Sequence, residues 1–114
     1  MRDVRAYLHD IDQSCGRIFS FTESRTIEDF AEADLLRSAV ERQFEIIGEA
    51  MSQALKTEPN LANRITNAAR IVAFRNRLIH AYAFVAPDVV WGVIQRHLPT
   101  LHAEIREIMG TGRD

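Results

Sequence analysis

Arg75, Asn76, Arg77, His80 and Tyr82 lie in one short stretch, Phe74-Arg75-Asn76-Arg77-Leu78-Ile79-His80-Ala81-Tyr82, and are residue types suited to chemistry on a phosphate. Arg75 is a permanent cation with a planar fork of donors that matches phosphate oxygens. His80 is the one side-chain type that gives or takes a proton near neutral pH. An arginine and a histidine in company are the parts of a phosphodiester-cleaving site. In that role Asn76 would orient His80 or the phosphate, Tyr82 would bond a phosphate oxygen, and Arg77 would hold the substrate backbone.

The spacing sets a condition on this reading. Five helical steps turn a side chain by about 140°, so on an unbroken helix Arg75 and His80 diverge. They meet if His80 sits in a fraying last turn, or if a second copy of the chain supplies the other half of the site. Asn76 and His80, at i and i+4, share a face. Pro87 disfavours helix at Ala86, and with the alternation of Ala81-Tyr82-Ala83-Phe84-Val85-Ala86 it predicts an extended connection, so Tyr82 overhangs the helix end.

Other chemistries lack their motifs. The chain has no Glu-x-x-His for a di-iron bundle, no His-Glu-x-x-His and no paired cysteines for zinc, and no glycine-rich phosphate loop. Neither metal nor cofactor is expected. What remains is metal-independent RNA cleavage, in which the ribose 2′-hydroxyl attacks its own phosphate, a route that DNA, lacking that hydroxyl, does not offer. His80 would move the proton and Arg75 would stabilise the charge on the phosphorane.

Arg75-x4-His80-x-Tyr82, with Asn76 directly after the arginine, resembles the signature of the HepT-like branch of the HEPN superfamily. Ile46-Ile47-Gly48-Glu49-Ala50 and Val89-Val90-Trp91 match as well, so the resemblance spans nearly the whole chain. It implies an all-helical ribonuclease toxin of a type II toxin-antitoxin system that cleaves transfer or messenger RNA. The implied partner is a nucleotidyltransferase antitoxin of the MntA type, which transfers AMP from ATP to the motif tyrosine, here Tyr82. The resemblance also implies that two protomers pair so that their motifs face a shared cleft. The rival reading is a non-catalytic helical dimer of the same fold that binds nucleotide or regulates a partner nucleotidyltransferase.

The elements that position these residues read as helices. Val4, Leu8, Ile11, Cys15 and Ile18 make a core-facing stripe over about Arg2 to Ile18, with Cys15 as a small buried hydrophobe and His9, Asp10 and Asp12 on the solvated side. The pattern breaks from Phe19 to Ser24, and Thr26-Ile27-Glu28-Asp29 offers a capping start for a short helix. From Asp34, a plausible N-cap, to about Lys56 runs the clearest helix, with Leu36, Val40, Ile47, Met51, Ala54 and Leu55 on one side.

Arg42, Glu45 and Glu49 form a polar line along that helix. Such a line is expected as edge ion pairs, or else Glu49 reaches across to position a motif arginine. Gly48 is costly inside a helix, and its missing side chain points to a close approach by another helix.

Thr57-Glu58-Pro59-Asn60 marks a turn, after which a short turn near Asn60 to Ile65 leads to helix up to about His80. Leu61, Ile65, Ala68, Ala69, Val72 and Ile79 are its expected core face. Arg70 and Arg77 share a line from which Arg75 departs. Pro87-Asp88 opens the last helix on Val90, Ile94, Leu98, Leu101, Ile105 and Ile108, kinked at Pro99, with His97 and His102 as edge residues. Gly110 to Asp114 reads as a frayed tail.

The fold class expected is all-α, an antiparallel four-to-five-helix bundle in one domain over residues 1–114, HEPN-like and homodimeric because apolar residues exceed what one core needs. The lone Cys15 admits no intrachain disulfide, and no apolar run reaches membrane-spanning length, so a cytoplasmic protein is expected. The net charge of −2 hides an asymmetry. Residues 60–82 hold Arg64, Arg70, Arg75 and Arg77 and no acid, so the rest of the chain carries −6, much of it between Glu23 and Asp34. The positive field therefore sits on the motif.

Overall fold

Asp3 begins the first helix: its carboxylate accepts from the Arg5 amide, and α1 runs over Val4–Thr22 in this computed structural model, which describes residues 2–80 and 84–111. The expected break at Phe19 does not occur. Phe19 packs beside His102 with ring centres 5.5 Å apart, and Thr22, buried, donates to the Ile18 carbonyl at 2.8 Å, so the helix gains another turn. It stops at Ser24, whose φ of 60° lies in the left-handed region.

Helix α2 spans Ile27–Glu32 behind the expected capping box. Thr26 Oγ1 accepts from the Asp29 amide while Asp29 accepts from the Thr26 amide. Ala33 alone separates it from α3, Asp34–Thr57, so Asp34 is the first residue of that helix and not its cap. The carboxylate of Asp34 pairs instead with Arg37, which also donates to the Phe30 and Ala31 carbonyls at the end of α2.

A 3-10 turn at Pro59–Asn63 buries Leu61, and after it α4 covers Ala68–Ile79. The break between them is at Asn67, with φ of 57°, a conformation asparagine tolerates well. Thr66 anchors this corner to the last helix, its amide and hydroxyl both donating to the Glu104 carboxylate at 2.9 and 2.8 Å. The kink expected at Pro99 is a break of one residue: α5, Pro87–Arg96, ends at His97, and α6, Leu98–Thr111, follows at once. Pro99 lies in the first turn of α6, where a missing N–H costs nothing. The apolar line nonetheless stays in phase, and Val90, Ile94, Leu98, Leu101, Ile105 and Ile108 are all buried. Helix continues through Gly110 and Thr111, where fraying was expected; residues 112–114 lie outside the described ones.

The described residues thus form an all-α bundle, five helical rods if α5 and α6 are taken as one broken rod. α3 is the central helix, packed on α1 and α4, while α6 covers α1, and α2 packs on α5 through Phe30 and Trp91, 5.5 Å apart. Among the described residues no helix is long and apolar enough to cross a membrane. α4 is the least enclosed of the long rods. Its buried residue is Ala68; Val72 is half-buried, Ala69 is exposed and Ile79 is 47% exposed, so half of its expected core face faces outward.

Cys15 lies in the core with no exposure, and burial, with the Asp12 charge adding, pushes its thiol from 9.0 up to about 12. The unfolded chain ionises this thiol first, so its contribution is complete below about pH 9 and is lost as pH rises toward about 12. Denaturant melts of the wild type should lose stability across that window, and Cys15→Ala should flatten the loss. Thiol reagent should label Cys15 only after denaturation; labelling of the native protein at neutral pH would contradict this placement.

Candidate active site

Close packing of α3 and α4 builds the site. A Cβ placed on Gly48 would stand 2.1 Å from the Arg75 Cβ and 2.6 Å from its Cγ, so only glycine lets the two backbones come this near. The stem of Arg75 crosses α3 at that point, and its guanidinium reaches the next residue along. Arg75 Nη2 pairs with Glu49 Oε2 at 3.0 Å, and Nη1 donates to Asn76 Oδ1 at 2.9 Å. Gln53, one turn on, donates to the other Glu49 oxygen at 3.3 Å. The expectation that Glu49 crosses the bundle to a motif arginine describes the geometry, while the remaining pair of that line, Arg42 with Glu45 at 3.4 Å, is an ordinary edge contact.

Arg75 is therefore an oriented cation. One N–H remains on each of its terminal nitrogens, while its Nε is buried without a partner among the described residues. The guanidinium borders a cleft of about 330 Å³ between α1, α3 and α4, whose walls include Tyr7, Asp10, Arg42 and Glu45. Arg2 lies over the Tyr7 ring at 4.9 Å and pairs with Asp10 at 2.9 Å, closing one end.

His80 ends α4. It is the C-cap, with extended backbone (φ −70°, ψ 123°) and an exposed side chain, while its amide reaches the Arg77 carbonyl at 3.4 Å. The structure joins Arg75 to Asn76 directly, and places Arg77 on the other side of α4, where with Arg70 it lines a second cavity. Tyr82 lies outside the described residues. Among the described residues no group of His, Cys, Asp and Glu is arranged to hold a metal ion.

Of the two histidines taken as edge residues, His97 is exposed, but His102 is half-buried and meets Asp12 at 2.8 Å. Asp12 is therefore not on a solvated face. Gln53 was overlooked although its i+4 spacing from Glu49 was readable; the Thr66 to Glu104 anchor had no local signal, being a contact across 38 residues.

The described residues thus form an all-α bundle that presents an oriented arginine and, at the end of the same helix, an exposed histidine. The ribonuclease HepT-like family matches residues 11–108, and the chain belongs to that family. A relative in Methanocaldococcus jannaschii, provisionally named an RNase, is 31% identical over 95% of this chain and 88% of its own length. Another provisional RNase, from Caldanaerobacter subterraneus subsp. tengcongensis, is 30% identical over 96% of each chain. A third, provisionally named ribonuclease HepT in Thermococcus cleftensis, is 32% identical over 94% of this chain and 96% of its own. No solved structure matches the chain significantly.

The two α3 residues at the crossing should behave differently in denaturant melts. Gly48→Ala gains about 1 kcal/mol of helix propensity, but it must push apart two backbones, so a net loss of about 1–3 kcal/mol is expected. Glu49→Gln breaks a pair that is half-exposed and should cost less than about 1 kcal/mol. A Glu49→Gln loss as large as that of Gly48→Ala would make the pair a structural support and not an orienting contact.

Proposed function

We propose that this chain is a metal-independent endoribonuclease, the toxin of a toxin-antitoxin pair, acting on RNA through Arg75 and His80. The observation that carries the reading is the fixed guanidinium of Arg75, held by Glu49 and Asn76 at the mouth of a cleft, with His80 exposed at the end of the same helix. An arginine that packed at random would need no such orientation.

The mechanism follows from those residues. His80 as base takes the 2′-hydroxyl proton; the 2′-oxygen attacks the adjacent phosphorus, and the P–O bond to the 5′-oxygen breaks. A proton returns to that leaving oxygen, so the products end in a 2′,3′-cyclic phosphate and a 5′-hydroxyl. Arg75 presents its two outward N–H groups to the charge that grows on the phosphorane oxygens. Asn76 keeps the arginine fork in plane, and Arg77 holds the chain beyond the scissile bond.

A homodimer completes the reading. Ile79, 47% exposed, and Phe84, 81% exposed, stand on either side of His80 in the sequence and offer apolar surface to a second copy. A second copy seated there would bring one protomer's His80 toward the other's Arg75, which removes the divergence of about 140° within one helix. Acting on cellular RNA, the pair works in the cytoplasm. Its antitoxin is a nucleotidyltransferase of the MntA type that moves AMP from ATP to Tyr82, placing phosphate charge where substrate phosphate would meet Arg75.

Purified wild type, shown by intact mass to be unmodified, should cleave a mixed RNA pool in EDTA and leave cyclic phosphate ends, and His80→Ala should lose at least about a hundredfold in rate while retaining RNA binding. Tyr82→Phe should escape AMP transfer from the partner enzyme. Absence of cleavage by unmodified wild type would overturn the nuclease reading and leave a nucleotide-binding dimer in its place.

A further inference from the structure

The face of α4 turned away from Arg75 borders a cavity of about 430 Å³, within the usual size for a small-molecule site, enclosed by α3, α4, α5 and α6. Its floor is apolar. Phe44 and Phe74 meet edge to face with centres 5.2 Å apart, and Val93 and Leu101 close the far side. Its rim is basic, with Arg70, Arg77 and His97, and no acid is among the lining residues. Neither Arg70 nor Arg77 has an acidic partner among the described residues, unlike Arg2, Arg37, Arg42 and Arg75. An apolar slot beneath two free guanidiniums matches a flat ring that carries a phosphate.

The helix itself links this cavity to the proposed site. At about 100° per residue, counted round α4 from Arg75, Asn76 lies about 100° on, His80 about 140°, Arg77 about 200° and Arg70 about 220°. A strand that wraps the C-terminal end of α4 therefore meets Arg75, then His80, then Arg77, and then the cavity. Half the circumference of a helix about 10–12 Å across is about 16–19 Å, roughly five stacked nucleotides at about 3.4 Å each.

We propose that the cavity takes one unstacked nucleotide of a single-stranded RNA substrate, its base on Phe74 and Val93 and its phosphate on Arg70 and Arg77, roughly five nucleotides from the bond attended by Arg75. This rests on the nuclease reading and adds to it a second subsite. It makes the enzyme select strands long enough to reach round α4, and unpaired enough to turn a base out of the stack.

The test is steady-state cleavage of a single-stranded RNA of about ten nucleotides by wild type, Arg70→Ala and Ala73→Trp. The first variant removes a phosphate contact. The second plants a ring over the cavity from an exposed position, where folding should tolerate it. Each should raise KM about tenfold with kcat within about twofold, as expected for binding shared equally by ground and transition states. Thermal melts identify a misfolded variant, in which case Arg70→Ala alone decides. KM unchanged in the folded variants, with wild type active, overturns the subsite and leaves the nuclease standing. If KM is unchanged while Ala73→Trp shifts the oligomeric state, the cavity belongs to a protein contact, and the proposal falls. Wild type without activity overturns the nuclease reading and this one with it.

Discussion

The approach of α3 to α4 at Gly48 is the constraint on which the site depends. Because no side chain stands at Gly48, the Arg75 stem lies directly on the α3 backbone, and the guanidinium has nowhere to go but along that helix to Glu49. The pair is half-exposed and adds little to stability. Its consequence is geometric. A long, rotamer-rich side chain is held in one orientation by the fold, so in the proposed site the entropy of that ordering would be spent in folding and not in binding.

The same contact divides α4 into two faces, each bordering a cavity. With α3 beneath it, the helix turns Arg75 and Ile79 to one side and Arg70, Phe74 and Arg77 to the other, while Asn76 and His80 stay on the outer surface between them. Four arginines without an acid in residues 60–82 would repel one another if crowded together. Arg70, Arg75 and Arg77 are instead spread around α4, with Arg64 before its start.

α4 packs along α3 but fully buries only Ala68, so most of its side chains stay at the surface. The principal packing is α1 and α4 on α3, then α6 on α1, with α2 and α5 joined through Phe30 and Trp91. Thr66, bound to Glu104 of α6, fixes the entry to α4, and Asn67 in the left-handed region sets its direction. The helix is thus held at its start and along one side, and His80 caps its C-terminal end.

How much of this was legible follows from the range of the interactions. Apolar spacing along α1, α3 and the α5 and α6 pair determined which residues enter the core, because helical periodicity is local and survives even the break before Pro99. Arg75, Asn76, His80 and Tyr82, taken with Ile46-Ile47-Gly48-Glu49-Ala50 and the all-helical pattern, were enough to point to the family, and Gly48 announced a close crossing. Only the tertiary structure decided what crosses there, that Glu49 and not Glu45 holds Arg75, that Ile79 faces outward, and that His102 turns in to Asp12. Each of these is a contact between segments far apart in the chain, set by how whole helices dock, and no local pattern of residue types encodes which of several similar side chains will lie at the crossing.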